Sequence, residues 1–512
     1  MSILEIKGLT HTFDGRLLFD NADLTVNNGE HIGVVGLNGA GKSTFINIIA
    51  GRTPQDAGEV LWQSNIVKGY LDQHADIDRS LTVMEYLKTA FTRLYEMNAR
   101  MEALYAKMSE PGADLDGLID KANRLLERLT DAGFFDLDAE IKKVANGLGV
   151  GRYGYDTPVA ELSGGMRAKL MLTKLLLLKP DIMLLDEPTN FLDIEHIDWL
   201  ADYLNGWKGT FMVISHDTDF LNRVSRFVVS IQNGSIKKYS GNYDQYAAQA
   251  EMNLKQYAES YERQQREIER MEDYINRNRA RASTAGMANA RKKQLEKLER
   301  IKKPTVVYDA TFSFPCAPLH TREIAAARGL VIGYGEPLLP PLDFSLPGDG
   351  RLWIRGTNGV GKTTLIKTLI GAIPALGGSF AFHPFVKIGY LEQDLVFPDP
   401  ETNAMAHFNA RFPRYDTKKT RAALAATGIK NDLATKPISA LSGGEQVRIK
   451  LTVLCHTESN LLILDEPTNH LDVRAKAALK KALLAYPGAI ILVSHEKDFA
   501  GEICDRVFDV RM

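Results

Sequence analysis

Cysteine is scarce in this chain: Cys316, Cys455 and Cys504 are the three in 512 residues, far apart and never in a C-x-x-C pair. That excludes a cysteine-rich zinc or iron–sulfur site and a disulfide scaffold, and fits a reducing, cytoplasmic setting. Long hydrophobic runs are missing as well. The densest clusters, such as Leu175 to Leu178, fall far short of the roughly 18 apolar residues of a membrane span. The opening residues MSILEIKGLT lack a basic start leading into an apolar stretch, so no secretory signal is expected. Charge of one sign is not in excess either, because 62 Lys and Arg balance 64 Asp and Glu. A nucleic-acid partner would therefore need a local basic patch. What is present is ordinary globular composition, 45% hydrophobic and 25% charged, and a length for more than one domain of roughly 100–200 residues.

The chain repeats itself, and this decides the fold class. Gly36-Leu-Asn38-Gly39-Ala-Gly41-Lys42-Ser43-Thr44 returns as Gly356-Thr-Asn358-Gly359-Val-Gly361-Lys362-Thr363-Thr364, at an offset of 320 in the numbering. Tyr70-Leu-Asp-Gln73 returns as Tyr390-Leu-Glu-Gln393 at the same offset. Leu162-Ser163-Gly164-Gly165, Asp186-Glu187-Pro-Thr-Asn190 and Ser215-His216 return as Leu441-Ser442-Gly443-Gly444, Asp465-Glu466-Pro-Thr-Asn469 and Ser494-His495, now at an offset of 279. One domain is thus used twice, with 41 extra residues inside the first copy. Ile32–Val35, Ile182–Leu185 and Phe211–Ile214 are continuous apolar runs, as expected of strands buried on both faces of a largely parallel sheet. Each copy should be α/β, with its chemistry at the carboxyl ends of the strands.

G-x-x-x-x-G-K-[ST] is a phosphate loop, in which backbone N–H groups curl around phosphate oxygens at a helix N-terminus. Lys42 and Lys362 add positive charge there, and Ser43 and Thr363 offer hydroxyls to Mg²⁺. Asp186 and Asp465 end apolar strands, the place for a carboxylate that binds Mg²⁺ directly or through water. Glu187 and Glu466 follow, positioned to deprotonate an attacking water. Gln73 and Gln393 bring a neutral oxygen to the metal or the water. His216 and His495 would hydrogen-bond the γ-phosphate. Phe13 and Tyr334 precede their phosphate loops and would stack on adenine; the alternative is a pair of core aromatics. Ser163-Gly164-Gly165 and Ser442-Gly443-Gly444 open helices and form second anion sites.

This set of motifs resembles the ATP-binding-cassette ATPases over nearly the whole chain. The resemblance implies head-to-tail pairing. ATP on Lys42 would be capped by Ser442, Gly443 and Gly444, and ATP on Lys362 by Ser163, Gly164 and Gly165. Asn190 and Asn469, inside Pro-Thr-Asn-x-Leu-Asp, narrow the likeness to the ABC-F translation factors. The expected organisation is a first cassette over 1–246, a helical linker over 247–304 and a second cassette over 305–512, as a monomer paired within itself. Met166 and Arg355 depart from the family pattern.

Leu254, Tyr257, Tyr261, Gln264, Ile268, Met271 and Ile275 alternate spacings of three and four, the stripe of a long helix. After a break at Ser283–Gly286, a second helix carries Leu295, Leu298 and Ile301, so a hairpin is predicted. Between Arg277 and Lys303 lie ten basic residues against two acidic, a local charge of +8. Arg277, Arg279, Arg281, Arg291, Lys292 and Lys293 are the candidate RNA contacts; the alternative is a solvated spacer. In the resembling family this segment reaches toward tRNA and rRNA, which implies a ribosome partner at the tRNA exit site. The surplus residues, near 95–138, predict a second hairpin carrying Leu94, Asn98, Met101, Tyr105 and Met108. It resembles the arm with which some ABC-F proteins touch the ribosome; the alternative is a decorative insertion. The rival reading is a fused ATPase pair energising a separate membrane importer, and a third is a cassette ATPase acting on DNA.

Overall fold

The computed structural model describes the chain except residues 14, 38, 72–76, 111–113, 233, 279–284, 299–309, 320, 358, 394 and 511–512. The first copy begins with strands Ser2–Phe13 (β1), Arg16–Asn27 (β2) and His31–Val35 (β3), helix Lys42–Ile49 (α1), and strands Ala57–Trp62 (β4) and Lys68–Tyr70 (β5). A helical stretch follows: Val83–Lys88 (α2), Thr92–Met108 (α3), Leu115–Asp131 (α4), Leu137–Gly147 (α5) and Gly164–Leu178 (α6). Ile182–Asp186 (β6), Ile194–Asn205 (α7), Thr210–Ile214 (β7), Thr218–Val224 (α8), Phe227–Gln232 (β8) and Ser235–Ser240 (β9) complete it.

The main sheet runs β5-β6-β7-β3-β8-β9, parallel except for β9. The uninterrupted apolar strands follow from burial on both faces. On β7, Phe211 and Val213 enter one core while Met212 and Ile214 enter the other. Each such side chain contributes about 1.5–3 kcal/mol through burial. A small antiparallel sheet, β2-β1-β4, packs beside it.

Two long helices join the copies, Tyr243–Asn278 (α9) and Ala285–Lys297 (α10), and α10 folds back on α9. The break comes before Ala285, so Ala285 and Gly286 belong to the second helix rather than to the turn. The helix also begins four residues before the expected linker boundary. Of the predicted stripe, Ile268 is buried and Tyr261, Gln264, Met271 and Ile275 half-buried, whereas Leu254 and Tyr257 are exposed. Helix α10 meets α9 at its far end, where Met287 and Arg291 stand against Tyr274.

In the second copy, Ala310, Phe312 and Phe314 pack into the core as an extended strap, and Ala317 is buried beyond them. Strands Glu323–Val331 (β10), Gly333–Tyr334 (β11), Glu336–Pro337 (β12), Leu342–Pro347 (β13) and Arg351–Arg355 (β14) lead to helix Lys362–Leu369 (α11). Gly377–Phe382 (β15), Ile388–Leu391 (β16), Ala404–Arg411 (α12), Thr417–Ala426 (α13), Gly443–Cys455 (α14) and Leu461–Asp465 (β17) come next. Val473–Ala485 (α15), Ala489–Val493 (β18), Lys497–Ile503 (α16) and Arg506–Asp509 (β19) end the described chain. Its main sheet, β16-β17-β18-β14-β19, repeats the first in the same parallel order.

The insertion is a hairpin of α3 and α4. Its inner face is Leu94, Met97, Met101, Leu104 and Met108 against Ala122, Leu125 and Leu129. The predicted stripe therefore drifts by one residue: Tyr105 is exposed and Leu104 takes its place, because two packed helices face each other over more than one row. No helix among the described residues is long and apolar enough to cross a membrane.

Candidate active site

Both phosphate loops sit between a central strand and a helix, β3 and α1 or β14 and α11. Gly41 and Gly361 stand at the helix entrances with φ of 94° and 104°, a left-handed conformation open to glycine. A Cβ on Gly36 would meet the Ile231 carbonyl oxygen at 2.6 Å, so the loop's first position also requires glycine. Lys42 Nζ donates to the Gly36 and Leu37 carbonyls at 3.0 and 3.3 Å, and Lys362 Nζ to those of Gly356 and Thr357 at 2.8 and 3.1 Å. Burial lowers the pKa of both lysines, and neighbouring carboxylates oppose it: Glu187, Asp472 and Asp186 for Lys42, Glu466 and Asp465 first among them for Lys362. Gly39, Ser43, Thr44, Gly359 and Thr364 lie on these loops and helices; Asn38 and Asn358 lie outside the described residues.

The candidate metal oxygens converge in the second copy. Thr363 Oγ1 lies within donating reach of two acceptors, Asp465 Oδ2 at 2.9 Å and Gln393 Oε1 at 3.2 Å. A hydroxyl, a carboxylate and an amide oxygen within hydrogen-bonding reach of one another suit a hard cation such as Mg²⁺, which takes few protein ligands and fills the rest with water and phosphate. In the first copy Ser43 bonds Asp186, whose pKa is raised by burial against the pull of Ser43 and Lys42. Gln73 lies outside the described residues.

Glu187 and Glu466 follow the last residue of their strands in a left-handed backbone, φ 48° and 50°. Such strain in a residue other than glycine costs about 1–3 kcal/mol and clusters at functional sites. The twist turns each carboxylate onto the neighbouring strand end. The His216 and His495 backbone N–H groups each donate to it at 3.3 Å, and the imidazole Nε2 atoms stand 3.3 and 3.2 Å away. Burial lifts both carboxyls to about 7, reinforced at Glu187 by the charge of Asp186 and opposed at Glu466 by Lys362. Burial, with the charge of Lys42 or Lys362, presses His216 and His495 down to about 2 and about 3, so both rings are neutral.

The two copies meet face to face. A cavity of about 690 Å³ between them is lined by Lys362, Thr363 and Glu466 of the second copy and by Ser163 and Gly165 of the first. Glu187 and His216 of the first copy line it as well. Ser163 and Ser442 are the N-caps of α6 and α14, and their hydroxyls accept from the N–H three residues on. Glu445 closes the second cap with a carboxylate 2.9 Å from the Ser442 N–H; Met166 closes the first with a thioether at 3.4 Å. A Cβ on Gly443 would meet the His470 ring of the same cassette at 3.2 Å. The head-to-tail approach is thus seen where Ser163 and Gly165 line one cavity with Gly359, Gly361 and Lys362. Gly164 opens α6 beside its cap, and Gly444 is the second residue of α14. Tyr334 lines the cavity and is 67% exposed; Phe13 is 61% exposed, so neither is a core aromatic.

Several interface groups escaped the motif reading, although the offset of 279 pairs Lys169 with Arg448, Asp193 with Asp472 and Asp219 with Asp498. Lys169 and Arg448 point from the two signature helices toward Asp193 and Asp472. Lys476 Nζ donates to the His216 carbonyl across the interface at 3.0 Å, and Lys497 pairs with Asp198 at 2.8 Å. Asp219 of α8 hydrogen-bonds Asp498 of α16, and burial, that bond and the charges of Asp498, Asp217 and Glu496 raise it to about 7.

Away from the interface two basic surfaces stand out. The arm hairpin is acidic in sum, yet Arg100, Lys107, Lys121, Arg124 and Arg128 line one groove of about 510 Å³ floored by Leu104 and Leu125. On the linker, Arg277, Lys292 and Lys293 are exposed, Arg291 packs 3.8 Å above the Tyr274 ring centre, and Arg279 and Arg281 lie outside the described residues.

Two family profiles, both described as ABC transporter, match the chain, one over 19–190 and 339–469 and the other over 229–314. The chain is 40% identical to the uncharacterized ABC transporter ATP-binding protein YfmM of Bacillus subtilis, over 99% of this chain and 98% of that protein. It is 33% identical to ABC transporter F family member 2 of Arabidopsis thaliana, covering 99% and 76%. It is 32% identical to the energy-dependent translational throttle protein EttA of Mycobacterium tuberculosis, covering 99% and 90%. Among solved structures, a complex of archaeal ribosomal stalk protein aP1 with the ribosome recycling factor aABCE1 matches at a TM-score of 0.59 and 18% identity, over 98% of this chain and 87% of that one. That last likeness speaks for the fold alone.

Proposed function

The chain belongs to the F family of ATP-binding-cassette ATPases, and from that premise we propose that it is an ATP-gated translation factor that binds the ribosome at the tRNA exit site. The observation that carries the gating is the shared cavity, in which the signature serine of one cassette faces the phosphate loop of the other. ATP bound there touches both cassettes and holds them together; its hydrolysis to ADP and phosphate lets them part. Kinship with a protein called a translational throttle supports the ribosomal reading.

In this proposal the loop N–H groups and Lys42 or Lys362 bind the phosphates, and Ser163-Gly164-Gly165 or Ser442-Gly443-Gly444 cap the γ-phosphate from the opposite cassette. Ser43, Asp186 and Gln73, or Thr363, Asp465 and Gln393, would hold Mg²⁺, which when bound neutralises phosphate charge. Glu187 or Glu466 orients a water in line with the γ-phosphate and takes its proton; a carboxyl poised near 7 suits that exchange. His216 and His495, neutral, donate to the γ-phosphate. Phe13 and Tyr334, exposed beside the loops, stack on adenine. The protein works in the cytoplasm as a monomer, with the basic linker tip laid against peptidyl-tRNA and rRNA and the arm groove on a second phosphate backbone.

The test is Glu187→Gln with Glu466→Gln. Phosphate release should fall about 10²–10⁴-fold, and the protein should cosediment with ribosomes in ATP. Normal hydrolysis, or no cosedimentation in ATP, would sink the reading.

A further inference from the structure

Lys476 stands in the first turn of α15, in the second cassette, yet its ammonium ends on the first. Its Nζ lies 2.5 Å from Glu496 Oε1 and donates to the His216 carbonyl at 3.0 Å. The side chain is only 11% exposed. A buried ammonium carries three donors and needs acceptors of this kind. Glu496 stands at the N-terminus of α16 in the same cassette as Lys476, so that pair survives when the cassettes part. The bond to His216 crosses the interface and exists only while they are together.

His216 is the residue that holds the carboxylate assigned to the attacking water at the first site. Its N–H stands 3.3 Å from one oxygen of Glu187, and its ring Nε2 3.3 Å from the other. The N–H, the ring and the carbonyl all branch from one Cα. Fixing the carbonyl therefore limits how the residue can turn, and with it the two groups that hold Glu187. A hydrogen bond from an ammonium suits this task, being roughly twice as strong as one between neutral groups.

The second site is built otherwise. The offset of 279 makes Ile197 the counterpart of Lys476, and Asp217 that of Glu496. An isoleucine side chain has no proton to donate to the His495 carbonyl. His495 instead meets a lysine of its own cassette, with Nε2 3.4 Å from Lys362 Nζ. The neighbouring ion pair across the interface is one-sided as well. Lys497 meets Asp198 at 2.8 Å, whereas their counterparts, Thr218 and Ala477, carry no charge. The charge of Lys476 reaches both Glu187 and Glu466, but its hydrogen bond goes to the first site.

We propose that Lys476 is a positioning residue for the first ATP site: when the second cassette docks, Lys476 fixes His216 and so places Glu187 against the water. The first site is completed from the opposite cassette, while the second aligns its own glutamate and histidine without such help. Hydrolysis of the ATP on Lys42 is thereby tied to closure more tightly than hydrolysis of the ATP on Lys362.

This inference rests on the paired ATP sites proposed above but not on ribosome binding, which its test omits. The full chain is prepared with Glu466→Gln, leaving the first site to hydrolyse, or with Glu187→Gln, leaving the second. A single turnover of γ-labelled ATP is followed in each, and a dye pair spanning the two cassettes reports closure. With Glu466→Gln, adding Lys476→Met should slow the turnover about tenfold, the loss expected of one charge-assisted hydrogen bond. The half-saturating ATP concentration and the closure signal should stay as in the parent, and Lys476→Arg should restore the rate. With Glu187→Gln, Lys476→Met should slow the turnover far less. No slowing at the first site, equal slowing at both, loss of the closure signal, or no rescue by arginine would overturn the proposal. If neither parent turns over ATP, the hydrolysis proposed above fails first and this inference with it.

Discussion

The two cassettes carry the same chemistry in different settings. Lys42 and Lys362, Glu187 and Glu466, His216 and His495 match in distance, backbone strain and direction of titration. Their surroundings do not match. The signature helix facing Lys362 is capped through the Met166 thioether and carries Lys169; its counterpart is capped through the Glu445 carboxylate and carries Arg448. Only the first cassette bears the arm, and its His216 carbonyl takes a lysine from the other cassette. Duplication preserved the reacting groups, while divergence went into what each site is connected to.

The sharpest test of that comparison is a single blocked site. Glu466→Gln alone should lower phosphate release far beyond half, because one unhydrolysed ATP still holds both cassettes shut; a residual rate near half would mean that the sites work independently. Next come the two basic surfaces. Replacing Arg100, Arg124 and Arg128 by Gln should flatten the log–log salt dependence of RNA binding by roughly 0.7–0.9 for each phosphate that is no longer neutralised. The same should hold for Arg277, Arg279 and Arg281, and unchanged slopes would assign either hairpin a spacer role.

The interface itself should respond to pH. Asp219 titrates near 7 in the closed protein against an ordinary 3.8. Its raised value means that its support for closure is complete below 3.8 and lost as pH rises through about 7. ATP-driven closure should weaken from pH 6 to pH 8, read by the cassette dye pair, and Asp219→Asn should flatten that slope. The caps give smaller effects. Ser442→Ala should cost about 1 kcal/mol in a denaturation series. Ser163→Ala should cost less, and Met166→Glu should stabilise, because a carboxylate is the stronger acceptor near a helix N-terminus. Smallest is Arg291→Ala, worth about 0.5–1 kcal/mol from the stack on Tyr274.

Much of this was legible in the primary structure. Buried parallel strands announce themselves as apolar runs, and Ile182–Leu185 and Phe211–Ile214 lie within β6 and β7. The hairpin stripes were less exact. Tyr105 and Leu104 differ by one position, and a spacing of three or four does not say how wide a packed face will be. Leu254 and Tyr257 fit the helix period but are exposed, since period reports a stripe and not its partner. The arm's basic groove was hidden in an acidic segment, because five cations gather only when α3 and α4 pack.

The sequence by itself determined the reacting groups, their duplication and the α/β class, because phosphate loops and buried strands are local patterns in which spacing dictates chemistry. Tertiary structure alone decided what lies opposite what: Ser163 beside Lys362, Asp219 against Asp498, and Lys476 against the His216 carbonyl. Those pairings join residues hundreds of positions apart, and no local pattern encodes them. They arise from the way two folded cassettes pack, which depends on the shape and charge of whole surfaces.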